Sequence, residues 1–182
     1  MTWILTHSGE HFDLLSPQPG MVKLLDIAHA LAHTVRFNGH TAWHYSVAQH
    51  SLLVASLVPA EHQLVALLHD ATEAYLGDVT HPLKLLLDRY QQLERRVWHS
   101  ICARFSLNPI IPDYVHEADR IALATERRDL MPRDDAHWEC LANVSPSPSR
   151  IGRWSPEEAR NRFYARAIAL LAARDSSLGV PA

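Results

Sequence analysis

Cysteine is scarce in this chain. Cys102 and Cys140 are the only two in 182 residues, and neither stands in a Cys-x-x-Cys pair. That argues against a disulfide framework and a thiolate metal site, and it leaves two free thiols suited to a reducing compartment. A basic field is missing as well. The formal net charge is −3, so a polymeric nucleic acid is not the expected partner, although a small phosphorylated ligand remains compatible. No apolar run reaches the roughly 18 to 20 residues needed to span a bilayer, and the first residues show no basic stretch followed by an apolar one. The expected location is cytoplasmic, without a membrane. Repeats, low-complexity tracts and linkers are also lacking. With 47% hydrophobic and 20% charged residues, the composition is that of an ordinary globular chain.

What is present is hydrophobic periodicity and histidine. Trp3 to Thr6 and His11 to Leu15 flank His7-Ser8-Gly9-Glu10, which predicts a short β-hairpin closed by Pro17, Pro19 and Gly20. From Met21 the spacing of Leu24, Leu25, Ile27, Ala28, Leu31, Ala32 and Val35 predicts a helix ending near Asn38-Gly39. A second helix is expected from Val47 to Leu57, and a third from Glu61 to Leu76. A fourth, capped by Thr80, would run through Pro82 and Leu83 to Phe105 as the longest of all. Another is expected from Tyr114 to Leu130. Residues 131–154 show no period and read as an irregular loop. Ser155-Pro156-Glu157-Glu158 then opens a last helix as a capping box, with a frayed tail from Asp175. The expectation is one all-α domain with a short N-terminal β-hairpin. Residues 1–20 form the hairpin and lead-in, 21–130 a helical core with the site, 131–154 the loop and 155–174 the final helix.

Thirteen histidines in such a chain invite a search for metal ligands. The densest chemistry lies in Leu67-Leu68-His69-Asp70-Ala71-Thr72-Glu73-Ala74-Tyr75-Leu76-Gly77-Asp78. A helix that places His69 and Asp70 among Leu, Val and Ala must satisfy both polar heads, and a shared cation does so. Glu73 follows on the same helical face. Gly77 is expected to end the helix in a left-handed conformation, turning Asp78 back over its end. Two ligands are too few for a metal. His50 in the apolar second helix and Asp119 in the part-apolar helix after Tyr114 complete a set of two histidines and two carboxylates. The duller reading of Asp119 is an ion pair with Arg120 or Arg127. Asp113, Glu117 and Asp129 are rival acids, and Glu94 to Arg96 reads as a solvated charged face. His29 and His33 share a face, and His40 and His44 precede His50; all four are left out of the set.

The order His50, His69-Asp70, Asp119 resembles the HD-domain metal-dependent phosphohydrolases. Among these the chain is most similar to the small bacterial and phage 5′-deoxynucleotidase-like members. Their Arg before the first histidine, His-Asp-x-x-Glu-x-x-x-x-Asp run and Pro-x-Lys match Arg36, His69 to Asp78 and Pro82-Leu83-Lys84. The likeness spans roughly residues 21 to 130. Phe37 stands where those proteins often carry Trp.

The resemblance implies a helical HD-domain bundle, one divalent metal ion (Mn, Co, Fe, Zn or Mg) and hydrolysis of a small nucleotide's phosphate ester by a metal-bound water. Glu73 and Asp78 would be catalytic. Glu73 would take a proton or position water. Asp78 would hold a second water, contact the sugar hydroxyl or protonate the leaving oxygen. Arg36 and Lys84 would bind phosphate, Arg as a fork and Lys as a point charge, and Phe37 or Trp43 would stack on the base. Nucleoside 5′-monophosphates, deoxy or ribo, are the expected substrates. A deoxynucleoside triphosphate triphosphohydrolase is the alternative, and a metal-containing nucleotide sensor without turnover is the alternative of another class. A homodimer or larger homo-oligomer is expected.

Overall fold

The computed structural model describes residues 1–177. Strands β1 (Trp3–Leu5) and β2 (His11–Asp13) pair antiparallel with Ile4 opposite Phe12. The alternation turns Phe12 inward, where it is fully buried and its ring stacks 3.7 Å from that of Tyr75. The hairpin turn is pinned by the buried Asp26. Its carboxylate accepts from Thr6 Oγ1, the Ser8 N–H and Ser8 Oγ at 2.7 to 2.8 Å.

Helix α1 (Leu24–His33) starts later than the spacing from Met21 predicts. Pro19–Met21 form a separate 3₁₀ turn, and Val22 and Lys23 are extended. Helix α2 (Val47–Ser56) opens with Ser46 Oγ accepting the Gln49 N–H. It is buried nearly all round and packs against α1, against α3 (Gln63–Leu68), against α7 (Asp113–Leu130) and against α8 (Pro156–Ser177). This makes α2 the centre of the described fold.

Two expected helices are broken. The third stops at Leu68 and resumes as α4 (Glu73–Leu76). His69 Nδ1 donates to the Ala66 carbonyl at 2.7 Å, the acceptor that a continuing helix would offer to the Asp70 N–H. The chain then tightens: the N–H groups of Ala71, Glu73 and Tyr75 donate to carbonyls three residues back at 2.9 to 3.0 Å. The fourth expected helix divides into α5 (His81–Lys84) and α6 (Tyr90–Phe105). Its leucine spacing has no surface to bury, since Leu85 and Leu86 are 65% and 78% exposed. Thr80 makes no side-chain cap, and the longest helix is α8. Gly77 does end α4 with a positive φ of 78°, but with ψ at 160° it leaves extended instead of coiling left-handed.

Residues 131–155 are irregular apart from a 3₁₀ turn at Glu139–Leu141. Ser155 Oγ accepts the Glu158 N–H at 3.1 Å, one half of the expected capping box. The Glu158 carboxylate instead accepts from Arg162 Nε at 3.0 Å. Helix α8 continues through Asp175 to Ser177, and the rest of the expected frayed tail lies outside the described residues. Cys102 is buried, which pushes its thiol up to about 11, while Cys140 is exposed. Among the described residues no helix is long and apolar enough to cross a membrane.

Candidate metal centre

The break between α3 and α4 aims His69 across the fold at α2. With Nδ1–H given to the Ala66 carbonyl, Nε2 carries the lone pair, and it is buried without a hydrogen-bond partner among the described residues. His50, fully buried on α2, is set in the same sense by a different partner. Its Nδ1–H donates to Glu126 Oε1 at 2.6 Å, which leaves its Nε2 as the ligating atom. The two imidazole centroids lie 5.4 Å apart.

Carboxylates close the remaining sides. Asp70 Oδ2 is 3.3 Å from both Nε2 atoms, and Asp119 Oδ1 is 3.2 Å from that of His50. His50, His69 and Asp119 form a cluster whose ligand atoms converge closely enough to hold a metal ion. The Asp119 side chain is 43% exposed, so the cluster opens to solvent on the α7 side. The electrostatics ask for a cation. Burial and Arg36 oppose charging His50, yet Glu126, Asp119 and Asp70 outweigh them and raise its proton affinity well above the ordinary value. Two buried, unpartnered imidazole nitrogens among acids suit a divalent ion better than a second proton.

Two of the three rival acids are engaged elsewhere. Glu117 pairs with Arg120, and Asp129 with Arg128 and Arg150. Arg127 donates to the carbonyls of Asp134 and Ala136 and stacks on Trp138. Asp119 is thus not the partner of either arginine that competed for it.

Glu73 on α4 is 4% exposed, with Oε2 buried and unpartnered among the described residues. Burial first, and then the charges of Asp70 and Asp78, push its carboxyl well above the ordinary value. Asp78, half-buried beyond Gly77, is raised chiefly by burial, against the pull of Arg36. Lys84 lies 3.8 Å from Glu73 Oε1, but its hydrogen bond goes to Glu94 Oε1 at 2.9 Å. Glu94 therefore belongs to the site's surroundings and not to a merely solvated face.

Arg36 follows the short bridge between Val35 and Ser46. Its Nη2 donates to Glu126 Oε2 at 3.0 Å, and its Nη1 is 3.7 Å from Asp70 Oδ2. Phe37 comes next with a φ of 54°, in the left-handed region, and its ring centroid is 5.3 Å from the Arg36 guanidinium carbon. That conformation is costly for a bulky residue and marks a position held by its surroundings.

Glu126 is the residue that sequence reasoning missed. It is fully buried, with one oxygen on His50 and the other on Arg36. Burial works against its charge, but Arg36 and then His50 hold its carboxyl below the ordinary value. The available signal was its place seven residues, or about two helical turns, after Asp119 on the same helix.

No family model matches the chain. It is 42% identical over 144 residues to the uncharacterized protein YfdR of Escherichia coli, covering 79% of this chain and 81% of that protein. It is 38% identical over 188 residues to an uncharacterized protein of Rhodobacter capsulatus, covering 93% and 95%. The chain belongs to the family of these two proteins.

Proposed function

We propose that this member of the YfdR family is a metal-dependent phosphohydrolase of the HD-domain kind, acting on small nucleotides and above all on deoxynucleoside 5′-monophosphates. One observation carries the reading. Two imidazoles whose Nδ1 atoms are committed to Glu126 and the Ala66 carbonyl turn their buried Nε2 atoms toward the same Asp70 oxygen, beside a buried carboxyl, Glu73, outside the ligand cluster.

When bound, a divalent ion would make water more acidic and offset charge on the phosphoryl oxygens. The protein's own groups supply the rest. Glu73, with its raised proton affinity, takes a proton from the attacking water. Asp78, beyond Gly77, would serve a second water, a sugar hydroxyl or the leaving oxygen. Arg36 and Lys84 are the cations next to these acids, and each already leans on a carboxylate, so they orient a phosphate more than they neutralise it. So modest a cationic complement supports a monoester over a triphosphate. Phe37, rigid beside Arg36, is the candidate platform for the base.

The test is product analysis with purified protein and a panel of deoxy and ribo mono- and triphosphates, loaded in turn with manganese, cobalt, iron, zinc or magnesium. Free phosphate from monophosphates is expected. Released triphosphate would replace this reading with a triphosphohydrolase, and tight nucleotide binding without turnover under any metal would replace it with a sensor. Elemental analysis adds a readout independent of rate. His69→Ala and Asp70→Ala should lose bound metal and turnover together. Glu73→Gln should keep the metal and lose rate by about 10² to 10⁴.

A further inference from the structure

Helix α2 presents His50 to the ligand cluster on one side, and on another it lines a cavity of about 500 Å³. Leu52, Leu53, Ile151 and Trp154 make this cavity apolar, and Arg150 and Arg166 line it as exposed cations. No acidic side chain is among its described lining residues.

Its outer wall, part of the irregular excursion, is built and not loose. The Ser147 N–H donates to Thr125 Oγ1 at 2.9 Å, and Arg128 donates to the carbonyls of Ser147 and Ser149 at 2.6 and 2.7 Å. The Ile151 N–H donates to Asp129 Oδ2 at 3.0 Å. Gln49 Nε2 reaches across from α2 to the Gly152 carbonyl at 2.6 Å. A wall held at so many points keeps the cavity formed without an occupant, as small-molecule sites usually are.

The charge pattern selects the occupant. A guanidinium has five donors. Arg150 commits one nitrogen to Asp129 and Arg166 one to Gln63, so both retain donors that face the cavity's rim or solvent. Apolar walls with guanidinium groups and no lining acid favour an apolar body that ends in an anion.

We infer that this cavity is a second ligand site, for a small molecule with an apolar body and one anionic group, set apart from the metal-ligating cluster by α2. Its occupant would touch Gln49, the neighbour of His50. It would also touch Tyr45, whose carbonyl accepts the Arg36 N–H at 3.0 Å.

The experiment is a fluorescence titration of the whole chain with 8-anilinonaphthalene-1-sulfonate, an apolar body carrying one anionic group. Its readout is binding, so it is independent of any turnover. Saturable binding of a single probe per chain is expected. Arg166→Glu, at an exposed position, should weaken it about tenfold or more by replacing attraction with repulsion. Leu53→Trp, which fills part of the cavity, should weaken it. N-phenyl-1-naphthylamine, with the same rings and no sulfonate, should bind more weakly. Circular dichroism verifies that both variants are folded, and the exposed Arg166 variant keeps the test sound if the cavity-filling one is not. Non-saturable binding, or equal affinity of the sulfonate for the wild type and Arg166→Glu, would overturn the inference.

Discussion

The candidate centre is bordered by two regions built in opposite ways. On one border, α2 and α7 lock His50, Glu126 and Arg36 into a network in which each charged or polar head rests on another, and His50 and Glu126 are fully buried. On the other, the chain from Gly77 to Arg89 carries Asp78 and Lys84 past a run of exposed leucines. It is tied in by Lys84 on Glu94 and by the Tyr90 hydroxyl donating to the Gly77 carbonyl at 3.3 Å. An interlocked buried network fixes ligand geometry, because losing one member strands the charge of the others. A segment with little buried surface opens locally at low cost. Under the proposed function, the first region would fix the metal's geometry and the second would yield as a nucleotide enters.

The contrast can be broken most severely at Glu126. Glu126→Ala leaves Arg36 buried without its main partner and should cost about 3 to 5 kcal/mol in urea unfolding, and Glu126→Gln less. A loss well under about 1 kcal/mol would show that the network is not what holds this border. Asp129 comes next. Arg128 above all, helped by the Ile151 N–H and Arg150, holds its carboxyl below the ordinary range despite burial. Asp129→Asn should cost about 1 to 3 kcal/mol at neutral pH.

The sign of its pH dependence follows from that depressed value. The clamp is at full strength above the unfolded carboxyl pKa of about 3.9 and is lost as pH falls toward the lower folded value, so wild-type stability should drop below about pH 4. The Asn variant should lack that component in acid unfolding curves. The smallest effect belongs to the open border. Leu86→Ser should change stability by about 0.5 kcal/mol or less. Hydrogen exchange sharpens the comparison directly, since amides of 83–89 should exchange well before those of α2. Equal protection would remove the distinction.

Much of this was legible before any coordinates. Two short runs flanking His7-Ser8-Gly9-Glu10 located the hairpin, apolar spacing located α1 and α7, and Ser46 and Ser155 stand where caps belong. His50, His69, Asp70 and Asp119 were identifiable because a histidine and acid inside apolar helical runs need a partner. Glu126 was not, because in Thr125-Glu126-Arg127-Arg128 it reads as one charge among several. Its burial depends on how α7 is rotated against α2. The leucines from Leu83 to Leu87 misled in the opposite direction, since apolar spacing reports a potential face and not the presence of a surface to cover it.

The sequence by itself determined the all-α class, the hairpin and the chemical types gathered for the candidate centre, because these follow from local periodicity and from the cost of burying polar heads. Tertiary structure alone decided that the His-Asp pair sits in a break between two helices. It also decided that Glu126 sets the tautomer of His50 and that Lys84 leans on Glu94. Each of these depends on which side chain arrives from another element, and on whether a backbone carbonyl is claimed by a side chain before the helix can use it.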